Sequence, residues 1–462
     1  MTKQKKKAPV SIGDQIELQI VGLNHQGEGV GRFHSFTIFV PDTVPNDQVI
    51  ARVISLQKNY ARALPEKILK PSPFRIAPFC QHYGACGGCQ LQHLAYQQQL
   101  QFKQNLVADT LKRIAQIEIP VHPTIGMANP WQYRNKAQVP VGVEAGIVQA
   151  GFYEKRSHKI VNLASCPIQH SANDETVKVV RQILQEMGIS IYSEANHTGF
   201  VRQIMTRTSF ATGDILLVLV TNGRRFPQAD NFVQHAREKI KNLTGIVQNI
   251  NTKRGNTILG PEEVTLWGNH YITEKIGLLQ FKVSSRSFFQ VNPLQTEKLY
   301  AKTKEYAALT GQETVFDLYC GIGTIALYLA AQAAKVIGVE IVEAAVKDAR
   351  ENAKLNHINN AEFHTGAAEA VVPKLLQQGY RADVVVVDPP RKGCDKTLLK
   401  TITIMQPKRI VYVSCNPATL ARDLKYLNEN GYKALEAQPV DMFPQTSHVE
   451  CVIEIQKVQS SK

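Results

Sequence analysis

From about residue 284 to the C-terminus the sequence alternates strand-like and helix-like runs, and this alternation constrains the fold more than any other feature. Short apolar runs at 314–319, 335–339, 361–365, 383–387 and 409–414 are separated by helical stretches, notably 343–356 and 417–430. Strands joined through helices run parallel, so this part of the chain predicts an α/β, doubly wound sheet with ligand sites at the carboxyl ends of its strands. The final strand, 448–456, follows what precedes it too closely for a helical crossover and is expected to run antiparallel.

At 462 residues the chain exceeds one ordinary core, and it divides into three segments. In the first, 1–78, short apolar runs such as Ile16–Val21, Phe36–Val40 and Val49–Ile54 alternate with turn residues, Gly27, Gly29 and Gly31 among them. That spacing predicts a small OB-like β-barrel, closed by the proline-rich stretch 70–78. The second, 79–283, holds a cysteine cluster, a helix over 94–117 and mixed, mainly β structure from 124 onward. Tyr96, Leu100, Val107, Leu111 and Ile114 mark the helix's apolar stripe, available to pack on the third segment, 284–462.

Charge narrows the partners. Lys and Arg number 53 against 39 Asp and Glu, a net +14, which favours a polyanion. The basic N-terminal run Lys3–Lys7 has no apolar stretch behind it, so it reads as an arm rather than a secretory signal. The longest apolar run, Ile215–Val220, is strand-sized and far too short for a bilayer. A cytoplasmic protein that does not engage membranes is expected, with its eight cysteines unpaired.

Asp317-Leu-Tyr-Cys-Gly-Ile-Gly-Thr324 ends the first parallel strand and opens a helix. Its glycines permit a tight turn and close approach by a ligand. A nicotinamide loop competes, but no third glycine follows at the dinucleotide spacing. Glu340 closes the second strand, where it can accept both ribose hydroxyls, and Asp388-Pro-Pro390 closes the fourth, near an adenine. An acidic site without a phosphate cradle suits S-adenosylmethionine, whose sulfonium is a cation.

Arg409-Ile-Val-Tyr-Val-Ser-Cys-Asn-Pro417 sets Cys415 just beyond a buried strand, in a polar, turn-forming context. Most free cysteines are small buried hydrophobes, and Cys320, Cys394 and Cys451 read that way or as lining of the cofactor loop. A thiol at Cys415 suits methylation at a pyrimidine C5: addition at C6 makes C5 nucleophilic, and a base must then remove the C5 proton. Glu450 is the candidate base, with His448 a weaker one.

Taken together, Ser287-Phe-Phe-Gln-Val-Asn292, Asp317–Thr324, Gly338-Val-Glu340, Asp388-Pro-Pro-Arg391, Ser414-Cys-Asn-Pro417 and His448-Val-Glu450 resemble the RNA uracil-5-methyltransferase family in order and spacing. The likeness covers nearly the whole chain: the first segment is similar to the family's RNA-binding TRAM barrel, and Tyr133-Arg-Asn-Lys-Ala-Gln-Val139 to its central domain. The resemblance implies Gln290, Tyr319, Glu340 and Asp388 at the cofactor, Cys415 as nucleophile and Glu450 as proton acceptor.

Cys80, Cys86, Cys89 and Cys166 form a 3+1 set of soft ligands, suited to zinc or to a [4Fe–4S] cluster. The set resembles that of the family's ribosomal-RNA branch, which implies the cluster, and a monomer acting on 23S ribosomal RNA. Transfer RNA is the alternative substrate. A methyltransferase acting on an exocyclic nitrogen would need no thiol. A radical enzyme calls for a tighter Cys-x3-Cys-x2-Cys, and a non-catalytic RNA-binding or assembly factor would bind no S-adenosylmethionine.

Overall fold

The computed structural model describes residues 8–458, so the basic arm expected at Lys3–Lys7 lies outside the described residues. Strands β1 (Gln15–Leu23), β2 (Gly29–Phe33), β3 (Phe36–Val40), β4 (Gln48–Leu56) and β5 (Tyr60–Lys70) close a barrel in the order β1-β2-β3-β5-β4. Period-two alternation sends Ile16, Leu18 and Ile20 inward against Val49, Ala51, Val53, Ala61 and Ala63. Gly29 has to be glycine, because a Cβ there would lie 2.0 Å from Thr43 Oγ1.

Helix α1 (Tyr96–Thr110) runs into a π turn, Leu111–Ala115. Its buried residues are Gln99, Lys103, Val107, Leu111 and Ala115, whereas Ile114, expected on the inner stripe, is 43% exposed. The wider π turn carries Ile114 off the inner face and brings Ala115 onto it. Val107, Leu111 and Ala115 share a core with Tyr412, Leu424 and Ile453 of the α/β sheet.

The middle of the chain is a seven-stranded sheet. Its strands are β6 (Lys136–Glu144), β7 (Ile147–Tyr153), β8 (Ile160–Asn162), β9 (Val201–Thr208), β10 (Ile215–Thr221), β11 (Leu243–Ile250) and β12 (Glu262–Gly268), in the order β12-β11-β10-β9-β6-β7-β8. Only β10 and β11 pair in parallel; the other neighbours are antiparallel. Helices α2 (Ser171–Glu186) and α3 (Ala229–Lys239) bury Val180, Ile183 and Phe232 on it. A hairpin, β13 (Tyr271–Ile276) with β14 (Leu279–Ser284), follows.

The third part carries β15 (Thr314–Leu318), β16 (Lys335–Glu340), β17 (Ala361–Thr365), β18 (Val384–Val387), β19 (Arg409–Ser414), β20 (Tyr432–Val440) and β21 (Glu450–Lys457). Their order is β17-β16-β15-β18-β19-β21-β20, parallel from β17 to β19, with β21 antiparallel to both neighbours. The doubly wound sheet and the reversed last strand agree with the sequence; β20 was not among the predicted strands. Helices α4 (Pro293–Ala307), α5 (Thr324–Ala330), α6 (Glu343–Leu355), α7 (Ala368–Gln377), α8 (Lys396–Met405) and α9 (Pro417–Glu429) cover the sheet, with a hydrophobic core on each face. Strand order reverses between β15 and β18, which opens a crevice at their carboxyl ends. Among the described residues no helix is long and apolar enough to cross a membrane.

Candidate active site

Backbone geometry at the end of β15 builds the first wall of the crevice. Tyr319, Gly321 and Gly323 have φ of +67°, +55° and +81°, so the chain coils back on itself before α5. Gly338 of β16 leaves room for this turn: a Cβ would stand 2.9 Å from Cys320 Sγ and 2.4 Å from the Phe363 ring. The Gly321 N–H donates to Glu340 Oε2 at 3.1 Å and the Val342 N–H to Oε1 at 2.8 Å, which fixes the carboxylate at the tip of β16.

Gln290, Tyr319, Glu340, Asp388, Cys415 and Glu450 all line one cavity of about 590 Å³. That volume is within the ordinary range for small-molecule sites, about 300–1,000 Å³. Pro389, Pro390, Phe288 and Phe443 give it apolar surface. The cavity joins carboxylates to apolar walls, a lining that fits S-adenosylmethionine with its ribose, adenine and cationic groups. His448, the weaker base candidate, lines it too.

Electrostatics in the cavity are governed by burial. Desolvation raises Asp388 to about 7. It also pushes Glu450 well above the carboxylate range, helped by the Asp388 charge and opposed by Arg391. Burial, then Glu450 and Asp388, push the Cys415 thiol up to about 12, with Arg391 pulling it down. His448 is lowered by burial and by the positive charges of Arg391, Lys103 and Arg134. An anionic or cationic ligand entering here therefore changes which groups hold protons.

The loop that carries His448 and leads into Glu450 of β21 is tied down from several directions. Buried Lys103 pairs with buried Asp441 and donates to the Phe443 carbonyl at 3.1 Å, while the Tyr96 hydroxyl donates to Asp441 Oδ2 at 2.8 Å. Gln99 donates to Gln445 Oε1 and accepts from the Gln445 N–H, both at 3.0 Å. The N–H groups of Gln90 and Leu91, just after the cysteine cluster, donate to the Gln445 carbonyl at 3.0 and 2.9 Å. Just before β6, Tyr133 donates to the Pro444 carbonyl at 2.9 Å, and Asn135 Nδ2 donates to the Gln290 carbonyl at 3.2 Å. The sequence assigned no role to Lys103, Asp441 or Arg391. Of these only Arg391 had a signal, its place in Asp388-Pro-Pro-Arg391.

Cys80, Cys86, Cys89 and Cys166 border a second cavity, of about 200 Å³, with Arg134 and Phe152. Tyr133, Met127 and Ile168 pack beneath it. Among the described residues no three His, Cys, Asp or Glu side chains converge closely enough to hold one metal ion. A single zinc needs four ligands within about 2.3 Å of one point. Cys80, Cys86, Cys89 and Cys166 share that cavity without converging on such a point.

Residues 95–458 match the family described as tRNA (Uracil-5-)-methyltransferase, which is most of the chain. The chain belongs to that family. Residues 9–64, the barrel, match the TRAM domain. An uncharacterized RNA methyltransferase of Halalkalibacterium halodurans is 48% identical over 449 residues, 97% of this chain and 98% of its own. One from Listeria monocytogenes serovar 1/2a is 51% identical over 437 residues, 95% and 96% of the two chains. The crystal structure of Pyrococcus abyssi tRNA (uracil-54, C5)-methyltransferase in complex with S-adenosyl-L-homocysteine is similar at 28% identity. Its TM-score is 0.76, over 95% of this chain and 100% of that one. As a family member the protein is an S-adenosylmethionine-dependent RNA (uracil-5-)-methyltransferase, and RNA is its substrate class.

Proposed function

We propose that this methyltransferase modifies C5 of a uridine in 23S ribosomal RNA through a covalent bond between Cys415 and C6 of the base. The observation that carries the reading is the meeting of Cys415 and Glu450 in the same cavity as Gln290, Tyr319, Glu340 and Asp388.

Bound S-adenosylmethionine supplies a methyl group made electrophilic by its sulfonium. Glu340, Asp388, Gln290 and Tyr319 hold it. Cys415 Sγ adds to C6, and the electron pair released toward C5 and O4 makes C5 nucleophilic. After methylation Glu450 takes the C5 proton, the C5–C6 double bond re-forms and the thiolate leaves. The uridine must be single-stranded or flipped from its stack to reach the thiol. Cys80, Cys86, Cys89 and Cys166 would hold a [4Fe–4S] cluster, which is outside the methyl transfer. We assign the protein as a monomer in the cytoplasm, with a TRAM barrel over 1–78, a cysteine-bearing middle over 79–283 and a catalytic part over 284–462.

A transfer-RNA substrate is favoured by one observation, the solved relative named for tRNA uracil-54. Mapping 5-methyluridine in ribosomal and transfer RNA from cells with and without the protein decides between them. Loss of a 23S site supports the proposal, loss of a tRNA site supports the alternative, and no loss in either refutes both.

A further inference from the structure

Three hollows lie end to end from Cys415. The first, about 390 Å³, shares Arg391, Cys415 and His448 with the reaction cavity and is bounded beyond them by His25, Gln26 and Gln90. Gln26 and Gln90 also border the second, about 710 Å³, between the barrel and the hairpin end of β7. Tyr153 then borders both the second and a third, about 420 Å³, on the middle sheet. Shared lining residues thus link the three hollows, from the nucleophile past the barrel to the middle sheet.

The third hollow is a built site. Arg202 donates to the carbonyls of Asn251 and Lys253 at 2.6 and 2.8 Å, and its guanidinium lies 4.3 Å from the centre of the Tyr192 ring. Tyr153 and His158 stack with centroids 5.0 Å apart at 19°. Glu194 is held at the rim by His158 Nδ1 at 2.8 Å and by the Tyr153 hydroxyl at 3.4 Å. Exposed Lys253 and Arg254 flank it, and neither has an ion-pair partner among the described residues. Aromatic faces, a fixed guanidinium, one carboxylate acceptor and free cations at the rim are what an unpaired base and its phosphate require.

We propose that this hollow holds a second unstacked nucleobase of the RNA strand whose target uridine reaches Cys415. The inference rests on the RNA substrate and the reaction site described above. It adds that the strand is read at two separated places, and that the barrel and the Gln90 segment guide the nucleotides between them.

The test uses the full-length protein and a single-stranded RNA that it binds and that carries one uridine, with abasic nucleotides introduced one at a time. Fluorescence anisotropy should find one position, remote from the target uridine, where loss of the base weakens binding roughly tenfold, as for one base–aromatic stack. In Tyr192→Ala that position should cease to matter, and Tyr192→Phe should restore it. An RNA trimmed before that position should bind the wild type and Tyr192→Ala alike. If Tyr192→Ala lowers the melting temperature, His158→Ala replaces it. A scan with no remote position, or equal weakening of trimmed and untrimmed RNA by the variant, overturns the proposal. Methyl transfer is read separately on the same RNAs: an intact remote contact without any 5-methyluridine refutes the reaction and supports the pocket.

Discussion

Cys415 and Glu450 sit at the same end of two antiparallel strands. Ser414 of β19 is in register with Cys451 of β21, and the next residue on each strand, Cys415 and Glu450, faces the reaction cavity. Glu450 also pairs with Val440 of β20, so a carboxylate that burial disfavours is held by the sheet itself. A nucleophile and a base set by strand register need no mobile loop to bring them together.

That pairing makes the reaction depend on pH in a definite direction. Below the raised thiol value the thiolate fraction grows about tenfold per pH unit. Single-turnover methylation should therefore rise between pH 6.5 and 9. Arg391 is the charge that pulls the thiol down. Arg391→Ala should slow the reaction by the same factor, roughly tenfold, across that whole range, because the thiol titrates above it in both proteins. A deficit that vanishes when RNA is saturating would mean that Arg391 acts only in binding RNA.

Asp388 carries a different signature. Its carboxyl titrates near 3.8 when unfolded and near 7 when folded, because burial disfavours the anion. Between those values the folded protein holds a proton that the unfolded chain has released, so stability falls as pH rises through the window. Asp388→Asn should then melt higher than wild type at pH 8, by an amount on the order of 1–4 kcal/mol, with no difference near pH 4. The same variant should bind S-adenosylmethionine more weakly. Calorimetry at the two pH values, with and without the ligand, checks both signs.

Lys103 and Asp441 are fully buried and hold the loop before Glu450. Removing one member leaves the other charged and unpaired, which costs about 3–5 kcal/mol in other proteins. Lys103→Met should lower the melting temperature and expose 441–449 to proteolysis, while Lys103→Met with Asp441→Asn should recover much of the loss. A single variant as stable as wild type would show that the pair is not what fixes the loop.

Protein purified without oxygen should carry roughly four irons and four acid-labile sulfides per chain, with no stoichiometric zinc. Cys89→Ser should lose the associated visible absorbance. Because the Gln90 and Leu91 N–H groups donate to the Gln445 carbonyl, that variant should also raise hydrogen exchange at Gln90 and Leu91.

Much of this was legible in the sequence where a local rule and the fold agree. The parallel strands of the third part read as apolar runs because both faces of that sheet are covered, and the barrel strands alternate because one face is inside. Glu340, Asp388, Cys415 and Glu450 stood out as candidates because each sits at a strand end or turn, whereas Gln290 and Tyr319 were pointed to only by the family resemblance. The inner face of α1 could not be read, since Gln99 and Lys103 are buried for partners more than 300 residues away. Strand β20 was hidden by Glu436 and Pro439, which an edge strand tolerates. Nothing local marks the third hollow either, for its residues come from five separate stretches between 140 and 258.

The most direct test of the central claim is to trap the enzyme on its RNA. Glu450→Gln, incubated with substrate RNA and S-adenosylmethionine, should accumulate a complex that survives denaturing electrophoresis. Mass spectrometry should find its crosslink on Cys415, and turnover should fall on the order of 10²–10⁴-fold, as for loss of a general base. Adding Cys415→Ala should abolish both the complex and methyl transfer. Methylation by Cys415→Ala at the wild-type rate, with no complex in either variant, would contradict the account.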